Sequence, residues 1–205
     1  SALAIHLAMQ AARKGIRSSY ASLEMTASEC SGRMLANASG VPRPTMQGAL
    51  TVQHKTKLAD TASSMKAWPI TFKDDNKATL EAFGGFLPQQ RLEGDLGFAV
   101  IDYLQLLSSP GFESRTQEVS HISRNLKQMA MSFEIPVVAL SQLNRSSTRE
   151  NRKPTLSDLR ESGSIEQDAD CVILLDVEKE LNSTTDVVWM NLAKNRNGET
   201  GQSYV

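Results

Sequence analysis

Four apolar runs of this chain end in polar residues suited to phosphate chemistry. Tyr20–Leu23 is followed by Glu24, "FAVI" by Asp102, "VVAL" by Ser141 and Gln142, and "WMNLA" by Lys194 and Arg196. An aspartate at the end of an apolar strand can hold Mg²⁺, usually through water, beside a nucleotide; this is the Walker B arrangement. A second carboxylate, Glu24, could orient or deprotonate a water attacking a γ-phosphate. Gln142 could sense that phosphate or position the water. Lys194 and Arg196 lie two residues apart, so on a strand they point to the same side and suit a polyanionic phosphate. Each residue taken singly also reads as a helix cap, a solvated charge or half of a salt bridge. Their recurrence after strand after strand points to nucleotide chemistry.

The elements that must position these residues follow from periodicity. Ala2–Ala12 is apolar on nearly all sides and ends in Arg13-Lys14-Gly15, so it predicts a helix packed on more than one face. Tyr20–Leu23 predicts a short strand. "TASE", Thr26 to Glu29, has capping-box spacing and opens a helix that fades at Ser39-Gly40. Residues 45–67 predict one or two surface helices, and Ile70–Lys73 a strand. Thr79–Leu92 is ambiguous, because Gly84, Gly85 and Pro88 oppose a continuous helix. "GFAVIDYLQLL" reads as a strand covered on both faces. Val119, Ile122, Leu126, Met129 and Phe133 step by three, four, three and four, one apolar stripe of a helix over 115–133. "IPVVALS" and "ADCVILLDV" read as further buried strands, and "DVVWMNLAKNRNG" as a strand closed by an Asn-Gly turn. Strands alternating with helices, several of them wholly apolar, imply an α/β fold with a mostly parallel sheet and helices on both faces. Such sheets bind ligands beyond the carboxyl ends of their strands, where the polar residues above fall.

Composition sets wide limits. A chain of 205 residues fits one sizeable α/β or α+β domain or two small ones. The net charge of −1 argues neither for nor against nucleic acid, so any such contact must come from a local patch. The two cysteines, Cys30 and Cys171, sit in no metal-binding spacing and read as reduced, buried, small apolar residues of a cytosolic protein. No run approaches the roughly 18 apolar residues of a membrane span. One segment resists this scheme. "DLRESGSIEQDAD" is rich in acids, yet it follows the basic stretch Arg145, Arg149, Arg152, Lys153 and leads into "CVILL".

Taken in order, "SLEM", "VIDYLQL", "EVSHISRNLK", "PVVALSQLNR", "SDLRESGSIEQDAD" and "KNRNG" resemble the successive motifs of the DnaB-type replicative helicases. The resemblance runs from residue 1 to residue 205, and its last two motifs are more specific than a generic P-loop ATPase requires. It implies a RecA-like ATPase core, residues 1–205 forming a single domain that is incomplete at its N-terminus and also truncated at its C-terminus. "SALAIHLA" matches the family from the Ser/Thr that ends its glycine-rich phosphate loop. That loop and the central strand before it are expected upstream, and the 205 residues alone are not expected to hydrolyse ATP. Two departures are "SS" at the start of the strand before Glu24, where the family is usually apolar, and "LLDVEKE", where it often has an arginine.

Carried over by motif, the resemblance implies ATP or another nucleoside triphosphate with Mg²⁺, served by Ser1 and Asp102. Glu24 becomes the catalytic carboxylate. Gln142 couples the γ-phosphate to the DNA loop. Arg196, with Lys194, resembles an arginine finger reaching the nucleotide of the adjacent subunit. Single-stranded DNA would be held by Arg160 and the backbone at Glu161 and Gly163, with Arg145, Arg149 and Arg152 adding diffuse attraction. Glu166, Asp168 and Asp170 would pair with basic residues of a neighbouring subunit. The implied protein is a homo-hexameric, ATP-driven translocase of the bacterial cytoplasm, with primase and a helicase loader as partners through regions outside these residues. The alternative class is a RecA-like strand-binding or non-hydrolysing assembly module of a phage or plasmid.

Overall fold

The computed structural model describes residues 1–74, 78–144, 150, 152–159, 163–178 and 187–204. They fall into two compact units, one of residues 1–109 and 129–140, the other of residues 110–128 and 141–205.

The first unit is built on a parallel sheet. Its helices are α1 (Ala2–Arg13), α2 (Ala27–Ser39), α3 (Arg43–Met46), α4 (Val52–Met65) and α5 (Leu80–Leu92), and its strands are β1 (Arg17–Ser22), β2 (Ile70–Lys73), β3 (Leu96–Asp102) and β4 (Val137–Ala139). The strand order is β2-β1-β3-β4, all neighbours parallel, with Ser22 opposite Asp102. Helical crossovers join successive strands, as parallel pairing demands. Helix α1 buries Ala4, Ile5, Ala8, Met9 and Ala12, a single stripe at helical spacing, and leaves Leu7 40% exposed. It therefore packs on one face and not several. Alanine-rich sequence looks apolar all round, although alanine has little surface to hide. The stripe meets Tyr20, Cys30, Met34 and Val100, with Trp68 partly buried against the same cluster and the Arg13 guanidinium 5.9 Å from the centre of its ring.

Helix α2 starts as its sequence predicts. The Thr26 hydroxyl accepts from the Glu29 N–H and Glu29 accepts from the Thr26 N–H, while the Asp74 carboxylate takes the Ala27 N–H at 2.6 Å. The helix ends at Gly40, whose φ of 68° is the left-handed cap that glycine adopts most readily. Residues 45–67 contain the end of α3 and all of α4, neither of which has a buried residue.

Helix α5 resolves the ambiguous segment against the breaker signals. It is continuous through Gly84, Gly85 and Pro88, capped by Thr79, and buries Leu80, Phe83, Phe86 and Leu87. Tertiary burial of these large side chains outweighs local propensity. A Cβ at Gly84 would stand 3.0 Å from the Met129 Cε, so the glycine lets that side chain approach. Strand β1 starts earlier than its apolar residues suggest. Ser18 and Ser19 are buried at 0% exposure; the Ser18 hydroxyl donates to the Ile16 carbonyl at 3.1 Å, while the Ser19 Oγ is without a partner among the described residues.

Helix α6 (Arg115–Phe133) has the predicted bounds and contributes to both units. In the second unit, a short α7 (Gly163–Asp168) precedes β5 (Cys171–Glu178), β6 (Val187–Asn195) and β7 (Gly201–Tyr204). These strands form an antiparallel sheet in that order. Strand β5 buries Val172 and Leu174 but leaves Ile173, Leu175 and Val177 exposed, so it is covered on one face among the described residues and not on two. Trp189, 2% exposed, packs with the covered face, and the Lys153 ammonium lies 5.2 Å from the centre of its ring. Strand β4 also departs from expectation: its residues are partly buried or exposed. Cys30 is buried as predicted, but Cys171 is exposed.

Candidate functional site

The first unit gathers a hydroxyl and two carboxylates at one edge of its sheet. Three residues separate α1 from β1, and the helix packs back along the strand, so its N-cap residue, Ser1, lies at the carboxyl edge of the strands. Glu24 and Asp102 follow β1 and close β3 at that same edge. The Leu23 N–H donates to the Asp102 carbonyl at 2.8 Å, which extends strand pairing one residue and sets Glu24 next to Asp102 in the chain fold. The Ser22 hydroxyl donates to the Met25 carbonyl at 2.6 Å and accepts from the Met25 N–H at 3.3 Å, fixing the turn that carries Glu24. Glu24 itself is exposed.

Asp102 is only 2% exposed and its Oδ2 accepts the Tyr20 hydroxyl at 2.6 Å. Tyr20 pairs with Val100 in register, so its ring and the Asp102 carboxylate share the face covered by α1. Burial, and then the bond to Asp102, push the Tyr20 hydroxyl far above its ordinary range, so it remains a fixed donor. Cys30, raised by burial and bonded to Ser22 Oγ at 3.3 Å, is inert packing here. The Asp102–Tyr103 peptide is cis.

The second unit gathers cations. Lys194 and Arg196 reach one target, the end of α7, as their spacing predicts. The Lys194 ammonium donates to the Glu166 and Gln167 carbonyls. The Arg196 guanidinium donates to the Gln167 carbonyl at 3.1 Å and to Asp170 Oδ1 at 2.9 Å, and its backbone N–H to the Asp170 carbonyl at 2.8 Å. Lys127 of α6 pairs with Asp170 Oδ2. The Lys127 ammonium foremost, with Arg196 and Lys194 adding to it, holds the Asp170 carboxyl below the usual range. Asp170 is thus paired within its own chain. Asp168 Oδ2 is buried without a partner among the described residues. Gln142 is exposed, three residues beyond β4.

Arg152, an expected contributor of diffuse attraction for DNA, is engaged within its own chain. Its guanidinium forks onto Asp158, Nη1 to Oδ2 at 2.6 Å and Nη2 to Oδ1 at 2.8 Å, while Nε donates to Glu150 at 2.6 Å. Asp158 is 1% exposed and also takes the Thr155 N–H and hydroxyl. Its own backbone carbonyl accepts the Asn144 N–H at 2.8 Å, so the pair pins the base of the segment between residues 144 and 158. Lys153 is likewise engaged, with Asp176 at 3.6 Å and the Trp189 ring. A cation committed to a bidentate internal pair is a poor phosphate ligand. Arg145, Arg149, Arg160 and Glu161 lie outside the described residues. Gly163 opens α7, with open space around a hypothetical Cβ.

The Arg152 fork, first among its contacts, holds the Asp158 carboxyl well below the carboxylate range. A depressed folded value stabilises the fold above the unfolded value, about 3.9, and that stabilisation is lost as pH falls through the folded value. Asp158→Asn should therefore lower the thermal midpoint at pH 7 and weaken its dependence on pH below about 4. Thermal unfolding followed at both pH values checks this; equal pH profiles for the two proteins would count against the pin.

Tyr20, Lys127 and Asp158 are the residues for which the sequence alone suggests no role. Tyr20 could be found from strand register, since it precedes by two the partner of Asp102. The partners of Asp170 and Arg152 have no local signal.

A parallel sheet with carboxylates at the edge that also receives the start of α1 has the layout of an α/β fold that binds ligands beyond the carboxyl ends of its strands. The family profile of the DnaB-like helicase C-terminal domain matches residues 1–205, and the chain belongs to that family. The replicative DNA helicase DnaB of Mycobacterium leprae is 43% identical over 188 residues, covering 87% of this chain and 31% of that protein. That of Geobacillus stearothermophilus is 37% identical over 209 residues, covering 98% of this chain and 46% of that protein. The chain spans less than half the length of these relatives. Among solved structures, a DnaB-like replicative helicase studied with its interactions with primase superposes with a TM-score of 0.92 at 30% identity, over 100% of this chain and 51% of that one. The ATPase domain of G40P gives 0.91 at 30% identity, over 99% and 75%.

Proposed function

We propose that these residues form the motor part of a replicative DNA helicase, in which ATP hydrolysis within a hexameric ring drives translocation on single-stranded DNA and duplex unwinding. The observation that carries the reading is the pairing of exposed Glu24 with buried, Tyr20-bonded Asp102 at one strand edge. Retention of both carboxylates favours a hydrolysing motor over a passive assembly module.

The donor set fits Mg²⁺. Asp102 is a buried hard oxygen ligand, and among the described residues there is no cluster of three acidic, His or Cys side chains for an all-protein cage. Mg²⁺ is ordinarily held by one or two protein oxygens together with nucleotide phosphates and water. Ser1 and Asp102 would hold it here, and when bound it neutralises charge on the phosphates. Tyr20 keeps the Asp102 carboxylate oriented. Glu24 orients the attacking water and accepts its proton. Gln142 links the γ-phosphate to the DNA loop, where Arg160 and the backbone at Glu161 and Gly163 grip the strand. A grip of few cations can release on every cycle, whereas many would hold too tightly. Arg196, with Lys194, neutralises charge on the nucleotide of the adjacent subunit, which makes the ring obligatory. Primase and a loader would bind through other regions, in the cytoplasm. Among the described residues no helix is long and apolar enough to cross a membrane.

The test is the full-length protein with ATP and Mg²⁺. Hydrolysis stimulated by single-stranded DNA, with unwinding of a forked duplex, is expected. Hydrolysis indifferent to DNA, or none, would overturn the reading.

A further inference from the structure

Every acceptor that the Arg196 side chain occupies has a second donor. Asp170 gives one carboxylate oxygen to Arg196 and the other to Lys127. The Gln167 carbonyl takes both Arg196 and Lys194. These carbonyls close α7, where helix ends leave acceptors unfilled and favour cations. If the guanidinium swings away, Lys127 still neutralises Asp170 and Lys194 still caps the helix. The Arg196 and Asp170 side chains are also 48% and 46% exposed, and ion pairs so exposed are weak. The backbone bond from the Arg196 N–H to the Asp170 carbonyl, at 2.8 Å, can persist while the side chain moves. The arrangement differs from the Arg152–Asp158 fork, where, beside the neutral Thr155 donors, one guanidinium is the cation paired with a buried carboxylate among the described residues.

We propose that Asp170 and Lys127 are positioning residues for Arg196. Asp170 docks the guanidinium on its own subunit, and Lys127 takes over the carboxylate when the guanidinium leaves for the phosphate of the neighbouring subunit. The inference rests on the trans role of Arg196 given above. Lys127 acts by making the exchange inexpensive. Without it, Asp170 keeps Arg196 as its ion-pair partner among the described residues and retains it more firmly.

The experiment is DNA-stimulated hydrolysis by full-length rings, with assembly checked by sizing. Lys127→Ala should lower kcat by about two- to five-fold with little change in KM, the scale of one exposed ion pair. Adding Asp170→Asn to the same chain should restore kcat, because the competing carboxylate is gone. Lys127→Arg should stay within about two-fold of the parent protein, since the cation is kept. A purely structural role for the pair predicts instead that the double variant is as poor as, or poorer than, Lys127→Ala; that result overturns the proposal. Should Lys127→Ala fail to assemble, Lys127→Gln takes its place with the same expected pair of results. Arg196→Ala separates the two levels. Turnover that survives it refutes the trans role itself, whereas its loss together with an unrestored double variant refutes the docking role alone.

Discussion

The Glu24→Gln variant of the full-length protein should bind nucleotide normally and lose ATP hydrolysis by ~10²–10⁴-fold, the range of a general base. The substitution is nearly isosteric at an exposed position, and the turn that carries it is held by Ser22 and Met25, not by the Glu24 side chain. Folding and assembly should therefore survive. What glutamine cannot do is accept the proton of the attacking water. Asp102 is buried with its Oδ2 already bonded to Tyr20, so under the proposed roles it would not substitute as base. A nucleotide-binding titration beside a phosphate-release assay checks the split. Normal turnover by this variant would remove Glu24 from the chemistry.

Under the proposed trans role, Arg196→Ala should cost ~10³-fold or more in hydrolysis, the scale of an arginine finger, while leaving each subunit able to bind nucleotide. Mixing is the stronger measurement. A ring containing Arg196→Ala subunits and Glu24→Gln subunits places, at some interfaces, an intact Glu24 against an intact Arg196. Turnover should reappear there, although neither protein hydrolyses ATP alone. A finger acting within its own subunit gives no recovery, because every subunit then lacks one of the two groups. Subunit exchange must be allowed before the assay, and recovery should follow the mixing ratio.

Legibility in the sequence followed the range of the interaction. Helix α6 and the Thr26 capping box were readable because their signals repeat or close within four residues. The carboxylates were readable because strand ends are marked by the apolar run that precedes them. Helix α5 was not, since Gly84, Gly85 and Pro88 are local breakers and the burial of Phe83, Phe86 and Leu87 is decided elsewhere in the fold. An unbroken apolar run also cannot distinguish a strand covered on both faces from β5, where Ile173, Leu175 and Val177 alternate with buried neighbours. Charge counting gives the sign of Arg152 but not its partner, Asp158, which lies six residues on. Asp170 shows the same limit from the acidic side: its two cations come from α6 and from the residue after β6.

The chain has two tryptophans, Trp68 in the first unit and Trp189 in the second. Trp68 is partly buried beside Arg13, whereas Trp189 is 2% exposed beneath Lys153. Each unit thus carries its own optical reporter in a distinct environment, and replacing either indole with phenylalanine would leave a signal belonging to a single unit. Emission could then follow the first unit separately from the second.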